Sequence, residues 1–185
     1  MGEAVDDATE EVILIDEADR PLGTAGKLDA HERGVLHRAF SVLIHDGSGN
    51  LLLQKRHPAK YHSGGLWTNT CCGHPRPSEA THAAAGRRLK EEMGFSSELT
   101  PLGSLIYRAE VGNGLIEHEL VYLFMGHHDG VIDPDPSEAE DWCWLPVAEV
   151  RRRVGCEPDR FTYWFRRYLE ESWPLADIEA APHDA

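Results

Sequence analysis

The first apolar run, Val12-Ile13-Leu14-Ile15, is short and continuous and ends at the polar residues Asp16 to Arg20, which predicts a strand and its turn. The segment Leu36 to His45 carries Ala39, Phe40, Val42, Leu43 and Ile44 and predicts a second, mostly buried strand. Asp46-Gly47-Ser48-Gly49-Asn50 then turns the chain into Leu51 to Arg56, which reads as its hairpin partner. Between the first two strands, Leu28 to Val35 has helical character. His57 to Leu66 holds Pro58, Gly64 and Gly65 and reads as a loop, and Thr68 to Cys72 as a short extended segment.

Ser78 to Met93 is the clearest helix: Ser78 suits the N-cap, Ala83-Ala84-Ala85 favours helix, and Gly94 suits the position just past the end. Leu102 to Ala109 and Leu115 to Met125 predict two strands joined at Gly112-Asn113-Gly114. Trp142 to Trp144 predicts a short strand, Pro146 opens a helix over Val147 to Val154, and Phe161 to Glu171 a last amphipathic helix. Strands at both ends with helices interspersed predict an α/β (α+β) fold with a mixed sheet between helices.

Composition narrows the function. The chain has 185 residues, 41% of them apolar, enough to bury a core in one domain over 11–173, flanked by polar tails at 1–10 and 174–185. No apolar run approaches ~18 residues, and the acidic N-terminus does not resemble a secretory leader, so a soluble, cytoplasmic protein is expected. The formal net charge of −14 opposes nonspecific binding to nucleic acid or an anionic membrane. A small anionic substrate then requires cations gathered locally. Cys71, Cys72, Cys143 and Cys156 lack a framework spacing and are expected as free thiols.

Four groups of residues carry candidate chemistry. Arg87, Arg88, Glu91 and Glu92 fall within about a turn and a half of helix, with Arg88 and Glu92 on one face. Taken alone they read as a solvated face with ion pairs; carboxylates there also suit Mg²⁺. Cys72 and His74 stand two residues apart at a glycine turn, fit for proton transfer and metal ligation, or for a buried thiol beside a surface imidazole. A zinc site built from Cys71, Cys72 and His74 lacks a second cysteine pair. Glu117 and Glu119 share one face of a predicted strand with apolar flanks, and a buried carboxylate pair calls for a cation. His31 and His37 precede and open a strand, in a chain that has 11 histidines.

The stretch Gly73-x5-Glu79-x7-Arg87-Arg88-Leu89-x-Glu91-Glu92-x-Gly94-Phe95 resembles the Nudix box, G-x5-E-x7-R-E-U-x-E-E-x-G-U, with U a bulky apolar residue. One fixed position departs: Arg88 replaces a glutamate that hydrolytic members use for metal, which argues against ordinary pyrophosphate hydrolysis. With Leu36 to Ser41, Trp67 to Pro75, Tyr107-Arg108-Ala109 and Gly114 to Glu119, the chain resembles the type I isopentenyl-diphosphate isomerases, a metal-dependent Nudix branch, over about residues 11–170.

That resemblance implies a Nudix-like sheet between helices. It also implies one metal site of His31, His37, His74, Glu117 and Glu119, taking Mn²⁺, Zn²⁺ or Mg²⁺, and a second Mg²⁺ bridging Glu92 and a diphosphate. It assigns proton transfer to Cys72 and Glu119, with Tyr107 assisting. It assigns diphosphate contacts to Lys27, Arg56, Lys60 and Arg88, and the cover of the substrate to Trp164. The expected partner is a small diphosphate, with no nucleic acid or membrane, and the expected state is a monomer or weak dimer. A nucleotide pyrophosphohydrolase and a non-catalytic metal-binding module are the competing readings.

Overall fold

Along His37–His45, successive side chains leave the backbone on opposite faces, and both sets are largely apolar. Such a strand needs cover on both sides. In the computed structural model, which describes residues 10–171, this strand (β3) supplies the core of a mixed sheet of nine strands. Before it come β1 (Glu11–Ile15), β2 (Pro21–Gly26) and α1 (Lys27–Arg33). After it come β4 (Asn50–Arg56), β5 (Trp67–Thr68), β6 (Cys71–Gly73), α2 (Thr81–Met93), β7 (Leu99–Gly112) and β8 (Leu115–His127). The chain continues through β9 (Ala139–Pro146), α3 (Val147–Cys156), a 3-10 turn (Pro158–Arg160) and α4 (Tyr163–Glu170).

Phe40, Val42 and Ile44 pack with Ala84, Ala85, Leu89 and Met93 of α2. Ala39 and Leu43 face the other way and join Val121, Leu123, Val150, Phe165 and Tyr168, under α3 and α4. The sheet between helices expected from the sequence is therefore the observed architecture. Among the described residues, no helix is long and apolar enough to cross a membrane.

β3 runs parallel to β8 from His37↔Glu119 to His45↔His127, and β7 runs antiparallel along the far edge of β8. The expected hairpin of β3 and β4 pairs only at His45↔Leu51. Beyond the turn the strands part, and β4 pairs with β5 and β9 instead. The gap is stitched by fully buried Thr70, whose hydroxyl accepts from Ile44 N at 3.0 Å and donates to Leu52 O at 2.7 Å. Gln54 Nε2 donates to Thr70 O at 2.8 Å, so the buried backbone of this plug is satisfied.

Several boundaries differ from expectation. β2 has the composition Pro-Leu-Gly-Thr-Ala-Gly; it is an exposed edge strand that needs only backbone pairing with β1, so it has no apolar pattern. β7 and β9 extend well past the predicted Leu102–Ala109 and Trp142–Trp144. The second helix starts at Thr81 with Ala80 at its N-cap, and Ser78 is in the left-handed region at φ 69. Glu79 explains the shift: its carboxylate accepts from Arg76 N and from Arg87, folding residues 76–80 onto the helix flank. The expected tails lie largely outside the described residues, but Glu10 is fixed by a 2.7 Å ion pair with Lys27.

Gly94 ends α2 at φ 81, and a Cβ there would collide with the backbone carbonyl oxygen of Asp133. Gly94→Ala is therefore expected to lower stability by more than ~1 kcal/mol, seen as a fall in the urea midpoint. An unchanged midpoint would contradict this account of the helix end.

Candidate active site

Register builds the first part of the site. Glu119 on β8 has His37 of β3 as its partner on one side and Tyr107 of β7 on the other. The three side chains form a row across adjacent strands, on the face covered by α4. Glu117, two residues earlier, shares that face, whereas His118 points away and bonds Gly34 O at 3.0 Å. His31 comes from α1 and His74 from the turn after β6, and both are buried beside the row.

The ring nitrogens indicate what is gathered here. His31 Nδ1 donates to Lys27 O at 2.6 Å and His37 Nδ1 donates to Val35 O at 2.8 Å. Each Nε2 therefore presents a lone pair, and both are buried without a hydrogen-bond partner. They lie 3.6 Å from Glu117 Oε1 and Glu119 Oε1 respectively. His74 Nε2 approaches Glu119 Oε1 at 2.9 Å. Donor atoms of His31, His37, His74 and Glu119 all fall within 4.8 Å of one another. Orphaned imidazole nitrogens facing buried carboxylates fit a divalent cation, and the imidazole content suits a transition metal.

Electrostatics divides the two carboxyls. Burial pushes Glu119 up, and the charge of Glu117 pushes it further. Burial also raises Glu117, but the neighbouring imidazoles of His31 and His62 more than reverse this and hold it well below the usual range. Tyr107 donates to Glu119 Oε2 at 2.6 Å and lies 3.1 Å from Glu117 Oε2. Paired groups pushed in opposite directions divide the labour: Glu117 stays ionised, and Glu119 is able to carry a proton. Burial holds the His74 imidazole well down, in the neutral form a metal requires. Burial lowers His31 too, but Glu117 beside it reverses the shift, so a proton and a cation compete for its Nε2.

The second part of the site comes from the segment after the plug. Cys72 on β6 pairs with Ser41 of β3, which places its side chain on the face that bears His37 and Glu119. Its thiol lines the same cavity as His74, Tyr107, Glu117 and Glu119. Burial pushes this thiol up to about 12, so it holds its proton at neutral pH. Cys71, by contrast, points into the α2 core and is fully buried. No cysteine joins a cluster of potential metal ligands among the described residues, and all four cysteines are free.

Comparisons with known proteins establish the family and the fold. The NUDIX domain family matches residues 35–171. An isopentenyl-diphosphate Delta-isomerase of Burkholderia multivorans is 51% identical over 163 residues, covering 88% of this chain and 93% of that protein. A second relative, isopentenyl-diphosphate Delta-isomerase 2 of Aromatoleum aromaticum, is 48% identical over 161 residues, covering 87% and 85%. This chain belongs to the isopentenyl-diphosphate Delta-isomerase family. The solved structure of DR0079 from Deinococcus radiodurans superposes with a TM-score of 0.73 over 87% of this chain and 98% of that one. At 16% identity that likeness speaks for the Nudix fold alone.

Family membership directs attention to the cations. Lys27, Arg56, Lys60 and Arg88 all line the cavity, so the structure does bring them together. Three of them have carboxylate partners. Lys27 pairs with Glu10, Lys60 with Glu138, and Arg88 with Glu91, Glu92 and Glu138. Arg56 lies 5.3 Å from the centre of the Trp164 ring. Trp164 packs in the core and also lines the cavity.

Glu92, the box glutamate kept in this isomerase-family chain, is buried and lines the cavity. Its Oε1 accepts from Arg88 at 2.6 Å and its Oε2 from Gln54 at 2.9 Å. It belongs to neither cluster of potential protein ligands among the described residues.

One buried histidine has no counterpart in the sequence reading. His62, from the loop predicted over His57 to Leu66, places Nε2 2.9 Å from Glu117 Oε1 and forms a second cluster with His31 and Glu117. A lone histidine in a loop of a histidine-rich chain carries no periodic signal that could single it out.

The ligand set predicts a metal-linked stability. Protein stripped by a chelator is expected to gain about 2.7 kcal/mol on adding Mn²⁺ at about a hundred times its dissociation constant, and to release protons as it binds. His37→Ala is expected to lose most of that gain. Melting curves identical with and without Mn²⁺ would exclude the assignment.

Proposed function

We propose that this protein interconverts isopentenyl diphosphate and dimethylallyl diphosphate by protonation and deprotonation at Cys72 and Glu119. The observation that carries the proposal is their convergence on one cavity: a protonated thiol and a carboxyl whose proton affinity is raised, beneath an aromatic face. The Arg88 substitution in the box and 42–51% identity to proteins named as this isomerase support the same reading over hydrolysis.

The chemistry requires each part. Moving the double bond adds a proton at the terminal methylene and removes one from the carbon next to the oxygen-bearing carbon, by way of a tertiary carbocation. An unactivated alkene is a very poor base, so the proton donor must be positioned and water excluded. One of Cys72 and Glu119 gives a proton to the terminal methylene and the other takes one from the substrate; proton return between them, through exchange with solvent once product leaves, resets the site for the next turnover. Tyr107 holds Glu119 Oε2 and fixes its orientation. Trp164 presents a π face, able to stabilise a developing cation by roughly 1–2 kcal/mol in a desolvated site.

Lys27, Arg56, Lys60 and Arg88 bind the diphosphate, and Lys27, Lys60 and Arg88 exchange their internal carboxylates for phosphate oxygens. His31, His37, His74, Glu117 and Glu119 would hold a Mn²⁺, Zn²⁺ or Mg²⁺ ion, and Glu92 a Mg²⁺ shared with the diphosphate. Cations held by these residues would supply positive charge against the buried carboxylates and the substrate. The protein works on a small diphosphate, in the cytoplasm, as a monomer or weak dimer.

Cys72→Ala is expected to keep the fold and lose at least ~10³-fold in kcat, measured by conversion of labelled isopentenyl diphosphate. Glu119→Gln is expected to lose activity to a similar degree and to retain less Mn²⁺ after dialysis. Near-normal turnover in either variant would refute its proton-transfer role. Release of inorganic phosphate or pyrophosphate without isomerisation would favour a hydrolase.

A further inference from the structure

The Cys72 sulfur is held from two sides, at 3.4 Å from Ser41 Oγ and 3.2 Å from Asn69 Oδ1. Counting protons gives the direction of each bond. Asn69 Nδ2 donates its two hydrogens to Val42 O at 3.0 Å and Cys71 O at 2.8 Å. That fixes the amide, so Oδ1 faces the thiol and can only accept. The Cys72 S–H donates to it, and Thr68 Oγ1 donates to the same oxygen at 3.0 Å.

With its one hydrogen directed at Asn69, Thr68 must accept from Thr162 Oγ1, 2.9 Å away. With its hydrogen likewise committed, Cys72 must accept from Ser41, and Ser41 in turn from Tyr168 OH, 2.8 Å away. A single polarity runs through all six groups. Thr162 donates to Thr68 and Thr68 to Asn69. From the other end Tyr168 donates to Ser41, Ser41 to the sulfur, and the sulfur to Asn69.

Both outer ends belong to the last helix or its cap. Thr162 occupies the N-cap of α4 yet makes no side-chain cap bond, because its hydroxyl turns inward to Thr68. Thr68, Asn69 and Thr162 are 0% exposed and Tyr168 is 1% exposed. Buried polar groups are tolerated when every member of the network is satisfied, and such networks fix one geometry. The same helix carries Trp164 into the cavity wall.

We propose that α4 is a positioning element for the Cys72 thiol, acting through two hydroxyl arms: Tyr168 by way of Ser41, and Thr162 by way of Thr68 and Asn69. The proposal rests on the reading of Cys72 as a proton-transfer group. In the resting enzyme the arms aim the S–H at Asn69 and keep one donor on sulfur. Proton exchange with the substrate then proceeds by rotation about the Cβ–Sγ bond, while the Ser41 hydroxyl stays on the sulfur. Tyr168 reaches the sulfur through Ser41 and is a positioning residue, as is Thr162.

The S–H stretching band tests this directly, since it reports the hydrogen bonding of the thiol without turnover. The Cys72 band is isolated by subtracting the infrared spectrum of Cys72→Ser. Tyr168→Phe removes only the hydroxyl and is expected to move the band to higher wavenumber, because a less polarised donor on sulfur weakens its S–H···O bond. Ser41→Ala is expected to move it further. In Tyr168→Phe, kcat should fall about tenfold, with KM and Mn²⁺ affinity within about twofold of the parent. A band unmoved in both variants, or a moved band with unchanged kcat, would overturn the proposal. Full turnover in Cys72→Ala would refute the proton-transfer reading itself; loss of turnover there with an unmoved band would refute the positioning role alone.

Discussion

The parallel register of β3 on β8 is the constraint on which the site depends. It sets His37 beside Glu119, and the antiparallel register of β7 sets Tyr107 on the other flank of the same residue. Because side chains alternate along a strand, a slip of one residue would carry Glu117 and Glu119 to the α2 face, among Phe40, Val42 and Leu89. There the carboxylates would be buried without imidazoles or a cation, at a cost the fold could not offset. In the observed register burial raises both carboxyls, and their neighbours separate them: His31 and His62 bring Glu117 down, while the Glu117 charge pushes Glu119 further up.

Charge is divided in space to suit a polyanion in an acidic protein. The net charge is −14, yet Lys27, Arg56, Lys60 and Arg88 are concentrated around one cavity. Internal carboxylates hold three of them in place. Glu138 shows how tightly: burial raises its pKa, but Arg88 and Lys60 reverse that and lower it. Arg88 therefore connects two tasks. It neutralises Glu92 and brings a planar guanidinium donor set to the cavity wall.

The legible parts of this protein were those with a local pattern. β3, β8 and α2 follow apolar runs or helical spacing, and the Glu117–Glu119 pair follows from period-two alternation. Cys72 and His74 stood out through their motif, and the structure places both at the cavity. The edge strand β2 did not, because backbone pairing alone defines it. The parting of β3 from β4 was hidden for the opposite reason: sequence proximity favours a hairpin, and distant strands outcompete it. His62 reaches Glu117 from a loop, and Tyr168 meets Ser41 across 127 residues of sequence. Contacts of that kind have no period or spacing and exist only once the chain is folded.

The most direct test of the account is to incubate the protein with isopentenyl diphosphate, Mg²⁺ and a trace of Mn²⁺ in heavy water and to follow the proton spectrum. The account predicts conversion to dimethylallyl diphosphate that carries deuterium from the solvent, because the added proton comes from exchangeable groups on the protein. Unchanged substrate with both metals confirmed bound, or product that retains every original proton, would contradict it.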